Sequence, residues 1–286
     1  MSIISQKTIN KQVHCNGIGL HSGKEVKMSL LPAPENSGII FRRVDIVDRN
    51  NQISAQYNNV ITTNLGTTII NQDGVRVATI EHLMAAIWGC DLDNLVVELN
   101  SEEIPIMDGS SAAFIFLIEC AGSHQQEEPR KIIEILKKVE VIEGDKLLII
   151  EPSREFSIDL KIDFNHAHLG KQNFDFRSNH TSFKNDISRA RTFAFQKDIE
   201  KMREAGLALG GSLENAVVIG ENGIINEEGL RYKDEFVRHK MLDFIGDIFL
   251  SGGYILGHFK GVKVGHSLNN KLLKKLFLDQ EAFRLL

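Results

Sequence analysis

Residues 237–247 have the sequence VRHKMLDFIGD, in which His239, Asp243 and Asp247 follow one another at intervals of four. At about 100° per residue, a helix places these three side chains and Lys240 on one face. The opposite face is apolar, which predicts an amphipathic helix over residues 235–250 that packs against the core. This apolar face consists of Val237, Met241, Leu242, Phe244, Ile245, Ile248 and Phe249.

The polar face of this helix has two interpretations. One is a solvated surface on which Lys240 pairs with Asp243 or Asp247 at helical spacing, and the pattern alone favours it. The other is a metal site, because a His and an Asp four residues apart lie one above the other and can share a cation. Two ligands do not hold a catalytic zinc ion, so the metal site requires a third ligand from elsewhere in the chain.

A second predicted helix, TIEHLMAAIWG over residues 79–89, offers that ligand in His82. Zinc hydrolases also need a carboxylate that does not bind the metal and that accepts a proton from water. Glu81, next to His82 in the sequence, can supply it. An isolated Glu-His pair is more often an exposed Glu beside a partly buried His, and its order differs from H-E-x-x-H. The spacing therefore permits a site from His82, His239 and Asp243 without establishing it.

Composition excludes several classes of protein. The chain has 286 residues, of which 42% are hydrophobic and 25% charged, so we expect packed globular structure. A net charge of −5 argues against broad nucleic-acid binding. The three cysteines, Cys15, Cys90 and Cys120, form no C-x-x-C pair and predict no disulfide framework. Without a signal-peptide pattern or an apolar run of roughly 20 residues, we expect a cytoplasmic protein with no transmembrane segment, and a monomer.

The order of predicted elements favours an α+β fold over a parallel doubly wound sheet. Strands are predicted at 95–99, 147–150, 156–164, 216–219 and 254–259, and further helices at 112–120, 197–205 and 272–278. The polar stretch GSHQQEEPRK at residues 122–131 predicts a boundary between an N-terminal half, residues 1–126, and a C-terminal half, residues 127–286. The stretches EHLM at 81–84 and RHKM at 238–241 are weakly similar to each other.

Eight stretches, in order, resemble one known family. They are GIGLHSGKEV (17–26), TIEHLMAA (79–86), IPIMDGSSAAF (104–114), IDFNH (162–166), RARTFAF (189–195), GLALGGSLENAVV (206–218), DEFVRHKMLDFIGD (234–247) and VGHSLNNKLL (264–273). The sequence resembles the zinc-dependent UDP-3-O-acyl-N-acetylglucosamine deacetylases of lipid A synthesis. The resemblance implies two α+β domains of similar topology, with helices sandwiched between two sheets and the active site at the domain junction. It also implies an inserted acyl-chain-binding segment near residues 195–216, bordered by the helix at 197–205.

The resemblance implies roles for single residues. His82, His239 and Asp243 match the zinc ligands, Glu81 matches the general base, and His266 matches the histidine that meets the reacting centre from the opposite side. Thr192 matches an oxyanion-stabilising hydroxyl, and Lys240 and Asp247 match residues that set the substrate and the charge around His266. Substrate contacts are implied for Lys263, Asp163, Phe164, Phe193, Gly210, Gly211 and Ser212. The donor set accepts Zn²⁺ or Fe²⁺.

The implied reaction is hydrolysis of the acetamide of UDP-3-O-(3-hydroxyacyl)-N-acetylglucosamine to a free amine and acetate. Either Glu81 or His266 protonates the departing amine, and the sequence does not choose between them. Two alternatives stay open: an amidohydrolase acting on another acylated amine, and a non-catalytic binding protein of the same fold. Glu81 together with His266 separates them, since a binding protein has no need of a base and an opposed acid. The preferred acyl length is not set by the sequence.

Overall fold

The computed structural model describes residues 4–164, 169–177 and 180–286. Asn165 and His166 of the IDFNH stretch therefore lie outside the described residues. The helices are α1 (Glu81–Gly89), α2 (Ala112–Ala121), α3 (His180–Asp186), α4 (Gln196–Glu204), α5 (Glu235–Ile248) and α6 (His266–Leu278). The strands are β1 (Ser5–Ile9), β2 (Val13–Ile18), β3 (Glu25–Pro32), β4 (Ile39–Arg43), β5 (Gln52–Ser54), β6 (Val60–Thr62), β7 (Thr68–Ile70), β8 (Arg76–Val77), β9 (Leu95–Leu99), β10 (Ser123–Pro129), β11 (Ile132–Ile135), β12 (Val139–Glu143), β13 (Lys146–Pro152), β14 (Phe156–Asp163), β15 (Lys171–Arg177), β16 (Phe193–Phe195), β17 (Val217–Gly220), β18 (Gly223–Ile224), β19 (Tyr254–Val262) and β20 (Phe283–Leu285).

The two main sheets share one topology. In the N-terminal half the strand order is β2-β3-β9-β4-β5, with β9 antiparallel to β3 and parallel to β4. In the C-terminal half the order β12-β13-β19-β14-β15 repeats this pattern, with β19 antiparallel to β13 and parallel to β14. Strand β11 pairs with the first residues of β19, and β20 pairs with β11. The α+β prediction is confirmed.

Each half also carries a small sheet ahead of its central helix. Strands β6, β7 and β8 form a three-stranded sheet between β5 and α1. Strands β16, β17 and β18 form the corresponding sheet between β15 and α5, and they are accompanied by α3 and α4. This second insertion includes the segment near 195–216. Neither small sheet was predicted in full, because strands of two or three residues are too short to show a period.

The predicted boundary at residues 122–131 is not an irregular linker. Seven of its residues form β10, which pairs antiparallel with β1 at the other end of the N-terminal half. Its residues are mostly exposed, as expected for a polar ribbon. The division into domains at residue 126 stays a prediction.

Helices α1 and α5 pack directly against each other, with α2 and α6 beside them. The contact is close because Gly246 has no side chain: a Cβ atom there would lie 2.0 Å from the carbonyl oxygen of Glu81. Trp88 at the end of α1 packs on Phe156 of β14, with ring centroids 5.3 Å apart. The central helix of one half therefore reaches the sheet of the other half, and the two central helices lie in one buried layer.

Helix α6 begins six residues earlier than predicted, at His266 and not at residue 272. Its first turns contain Asn269 and Asn270, which are polar but buried, so they interrupt the apolar period in the sequence. Strand β14 ends at Asp163, one residue before the predicted end at Phe164. Across the part of the chain that the structure describes, every helix is too short or too polar to cross a membrane.

Candidate active site

Two His side chains and one Asp side chain converge where α1 meets α5. His82 is the second residue of α1, and His239 and Asp243 lie one turn apart on α5. One donor atom from each lies within 4.8 Å of the other two. The Nε2 atoms of His82 and His239 are each 3.4 Å from the same oxygen of Asp243. The predicted meeting of these three residues is therefore present, and they form a group that could hold a metal ion.

The polar face of α5 is buried, so its interpretation as a solvated surface is wrong. Asp243 is 4% exposed and Asp247 is 3% exposed. Helix α5 is covered by α1, by α6 and by the second sheet, so both of its faces lie inside the protein. The predicted pairing of Lys240 is present: its Nζ donates to Asp243 at 2.8 Å. The expectation of an exposed Glu81 and a partly buried His82 is wrong for the same reason, since both are buried.

The protonation of His239 and Asp243 suits metal binding. Burial lowers the pKa of His239 to about 3, and the nearby Asp243 carboxylate opposes this only in part. Burial raises the pKa of Asp243, but the nearby cations Lys240 and His266 more than offset this rise, so the pKa of Asp243 lies well below its ordinary value. His239 Nδ1 donates to the carbonyl oxygen of Ala190 at 3.0 Å, which leaves the lone pair on Nε2 free to bind a cation. A neutral imidazole and an ionised carboxylate are the forms that bind cations.

A buried ion pair holds the segment that carries Ala190. Arg191 is 1% exposed, and its Nε donates to Glu235 at 2.9 Å. The backbone N–H of Arg191 donates to the same carboxylate oxygen at 2.9 Å. Glu235 is the first residue of α5, one turn before His239. The pair therefore ties the carbonyl group that orients His239 to the helix on which His239 lies.

Glu81 and His266 face each other across the site. Oε1 of Glu81 is 4.0 Å from Nε2 of His266. Burial raises the pKa of Glu81, while the neighbouring His266 and His82 oppose that rise. Burial lowers the pKa of His266, but Asp247 at 2.7 Å from its Nδ1 more than offsets this and raises it to about 9. At neutral pH His266 is therefore an imidazolium, and it faces a glutamate whose pKa is raised.

Two residues that the sequence analysis did not select hold Asp247 and Glu81. Thr67 donates its hydroxyl hydrogen to Asp247 at 2.6 Å and its backbone N–H to Glu81 at 2.9 Å. Asn269 donates its amide to Asp247 at 2.8 Å. Thr67 stands next to a three-residue strand, where no period marks it. Asn269 lies on the early turns of α6, which the sequence placed outside the helix.

Two cavities meet at this site. The first, of about 330 Å³, is lined by the metal-binding residues together with Glu81, His266, Thr192, Phe193 and Lys240. The second, of about 420 Å³, is more apolar and includes Ile199 and Met202 of α4. The cavities share Leu20, Leu65, Thr192 and Phe193 as common walls. The cavity at the candidate metal site therefore adjoins a second, more apolar cavity.

The predicted substrate contacts divide between these cavities and their surroundings. Gly211 and Ser212 line the apolar cavity. A Cβ atom at Gly210 would lie 2.3 Å from the carbonyl oxygen of Gly19, so this glycine allows close contact between two loops. Phe164 lies against Phe193, with ring centroids 5.6 Å apart.

Lys263 directly follows β19 and lies two residues before Gly265, which lines the polar cavity. Its Nζ pairs with Asp145 at 2.7 Å and with Asp163 at 3.4 Å. Lys146, at the start of β13, lines the polar cavity, although the sequence analysis did not select it. The roles of Lys263, Asp163 and the other substrate contacts stay predictions.

Two imidazoles and a carboxylate, beside a glutamate that is not one of the ligands, are typical of the metal-dependent hydrolases. Comparison with known proteins gives the family within that class. Residues 6–278 match the family described as UDP-3-O-acyl N-acetylglycosamine deacetylase, and the chain belongs to this family. It is also 48% identical over 285 residues to the UDP-3-O-acyl-N-acetylglucosamine deacetylase of Pseudomonas entomophila (strain L48), covering 98% of this chain and 93% of that one.

Proposed function

We propose that this chain hydrolyses the acetamide of UDP-3-O-acyl-N-acetylglucosamine, which releases acetate and leaves the free amine, as in lipid A synthesis. The observation that carries the proposal is the buried cluster of His82, His239 and Asp243 opposite the Glu81–His266 pair. A protein that only bound this ligand would not need a buried carboxylate and imidazolium on the two sides of a metal site. Membership of the deacetylase family supports the same reaction.

The residues present fit one divalent cation, and we propose Zn²⁺, with Fe²⁺ as the alternative for the same donor set. His82, His239 and Asp243 would hold it. Their donor atoms lie within 4.8 Å of one another, and the ordinary partner of His239 Nδ1 is already supplied by Ala190. When bound, the ion supplies Lewis acidity, which polarises the amide carbonyl and lowers the pKa of a water molecule towards roughly 7.

Glu81 is suited to act as the general base. One of its oxygens, Oε2, accepts the backbone N–H of Thr67, and Oε1 is directed towards His266. Its burial raises its pKa, so it is a stronger base than an exposed glutamate. Glu81 therefore accepts the proton that the attacking water molecule loses.

His266 is suited to protonate the departing amine. With a pKa raised to about 9, it is a cation at neutral pH and carries a proton on Nε2, the nitrogen that faces Glu81. Asp247 accepts the Nδ1 hydrogen and stabilises the cation. This favours His266 over Glu81 as the proton donor, a choice that the sequence left open.

Substrate positions follow from the two cavities. The acyl chain would lie in the apolar cavity between α4 and the loop that carries Gly211 and Ser212. Thr192 stands where the cavities meet, within reach of an oxyanion formed in the polar cavity. Lys240 lies in the same cavity and Lys263 near it, and we propose that both carry charge for the diphosphate, with Asp163, Phe164 and Phe193 as further contacts. The cytoplasmic location and the monomeric state stay predictions.

The test combines metal analysis with an assay of acetate release. Purified protein should contain stoichiometric metal and deacetylate UDP-3-O-acyl-N-acetylglucosamine much faster than UDP-N-acetylglucosamine, which lacks the acyl chain. Glu81→Gln should retain the metal and lower kcat by about 10²–10⁴-fold, because a general base contributes that much. Metal-loaded wild-type protein that releases no acetate would refute the proposed function. A fully active Glu81→Gln variant would remove Glu81 from its role.

A further inference from the structure

Thr67 lies directly before β7 in the small sheet of the N-terminal half, and it is 2% exposed. Its backbone N–H donates to Glu81 Oε2 at 2.9 Å, and its hydroxyl donates to Asp247 Oδ1 at 2.6 Å. Its carbonyl oxygen accepts the N–H of Ile80, the residue before α1, at 3.3 Å. All of its polar groups are therefore engaged with the catalytic pair or with the start of the helix that carries Glu81.

The hydrogen positions follow from the chemistry of the partners. A carboxylate only accepts hydrogen bonds, so the hydroxyl hydrogen of Thr67 points at Asp247. The second oxygen of Asp247 accepts from His266 Nδ1 at 2.7 Å and from Asn269 at 2.8 Å. The Thr67 hydroxyl oxygen is also 3.3 Å from His266 Nδ1. Because both carboxylate oxygens are occupied, Asp247 cannot rotate without breaking charge-assisted hydrogen bonds.

These bonds fix the mutual orientation of the acid and the base. The Thr67 N–H occupies Oε2 of Glu81, which leaves Oε1 as the oxygen that faces His266. The Thr67 hydroxyl fixes Asp247, and Asp247 in turn fixes the His266 ring, whose Nε2 then faces Glu81. Thr67 of the N-terminal half thus contacts the base through its N–H, and it contacts the acid mainly through Asp247, with its hydroxyl oxygen 3.3 Å from His266 Nδ1.

We propose that Thr67 is a positioning residue that sets the arrangement of Glu81 relative to His266 for proton transfer, an inference that rests on the proposed function. Misplacement of catalytic groups by about 1 Å can lower a rate by roughly 100-fold, so the loss of one such anchor affects catalysis more than binding. Thr67 is not among the lining residues of either cavity, so we expect KM to be insensitive to it.

The experiment uses two variants of Thr67 and one neighbouring control in the full-length, metal-loaded enzyme. Thr67→Val keeps the shape of the side chain and removes the hydroxyl, whereas Thr67→Ser keeps the hydroxyl and removes the methyl group. The control is Thr68→Val, because Thr68 is the next residue, is also buried, and pairs with Thr62 across the small sheet. Each variant is measured for kcat, KM, metal content and thermal unfolding.

We expect Thr67→Val to lower kcat roughly 10- to 100-fold with metal content and KM unchanged, and Thr67→Ser and Thr68→Val to stay near wild type. Thr67→Val with wild-type kcat would overturn the inference, and so would equal losses in the Val and Ser variants, because the hydroxyl would then not be the cause. Wild-type enzyme without deacetylase activity would instead refute the proposed function. The two failures are therefore distinguishable.

Discussion

The central helix α1 of the N-terminal half has nine residues, all of them buried, whereas α5 of the C-terminal half has 14 and begins with the buried Glu235. Both helices occupy the same place in a repeated topology. Helix α1 contributes Glu81 and one proposed metal ligand from its first turn, while α5 contributes two proposed ligands and Asp247 from successive turns. Equivalent helices in the two halves therefore carry different functional side chains, and neither helix alone provides three proposed ligands.

The two proposed His ligands, His82 and His239, are also held differently. His239 Nδ1 donates to the carbonyl oxygen of Ala190, which the Arg191–Glu235 pair fixes. Among the residues that the structure describes, His82 Nδ1 is buried without a hydrogen-bond partner. The imidazole of His239 is thus preoriented by a second layer of contacts, and the orientation of His82 depends on the packing of α1.

The largest expected effect tests whether both halves are needed for the metal. His82→Ala and His239→Ala should each lose the stoichiometric metal and reduce acetate release to the protein-free background, because a catalytic site needs three protein ligands. The measurements are elemental analysis and the acetate assay. His258→Ala is the control, since His258 lies on β19 and bonds to Ser157, away from the site. A His82→Ala variant that keeps its metal would show that the residues of α5 bind the metal without His82.

The next effect concerns the pH dependence of activity, to which Glu81 of the N-terminal half and His266 of the C-terminal half each contribute one limb. Activity should rise with pH as Glu81 loses its proton, at a pH above that of an ordinary glutamate, because burial raises its pKa. Activity should fall as His266 loses its proton near pH 9, since the cation is the form that donates. His266→Gln should lower kcat by about 10²–10⁴-fold and abolish the alkaline fall. If the His266→Gln variant keeps the alkaline fall, a group other than His266 is the proton donor.

A smaller effect concerns the support of His239. Glu235→Gln should lower metal affinity by about 10- to 100-fold, the usual effect of weakening an outer-layer contact. It should also destabilise the fold by about 3 kcal/mol, since Arg191 stays buried with one anionic partner fewer. Glu228→Gln is the matched control: Glu228 binds the other end of Arg191 at 2.6 Å, but its side chain is 57% exposed. We expect that control to cost under about 1 kcal/mol. Equal losses in both variants would contradict a special role for Glu235. Competition with a chelator and denaturant unfolding measure the two quantities.

The smallest expected effect tests the contact between the central helices. In an open helix, Gly→Ala stabilises by about 1 kcal/mol. Gly246→Ala should instead destabilise by about 1–3 kcal/mol, because the new Cβ would meet the Glu81 carbonyl oxygen at 2.0 Å and force α1 and α5 apart. Activity should fall with stability, since the same shift separates His82 from Asp243. A more stable, fully active variant would show that the helices can adapt without disturbing the site.

Much of this arrangement could be predicted from the sequence. The strands at residues 95–99 and 254–259 and the helices around Glu81 and His239 lie where their periods indicate. The pairing of His239 with Asp243 also follows from helical spacing. Thr67, Asn269 and the carbonyl of Ala190 could not be found this way, because their roles depend on distant partners and not on a local period.

By itself, the sequence determined which donor atoms are available and that His239 and Asp243 lie one turn apart, because backbone geometry fixes relations between near neighbours in a helix. Only the tertiary structure decided that Glu81 and His82 meet them, and that the polar face of α5 is buried. The physical reason is that such contacts arise when two sheets enclose the helices. The absence of a side chain at Gly246 then allows the two central helices to touch.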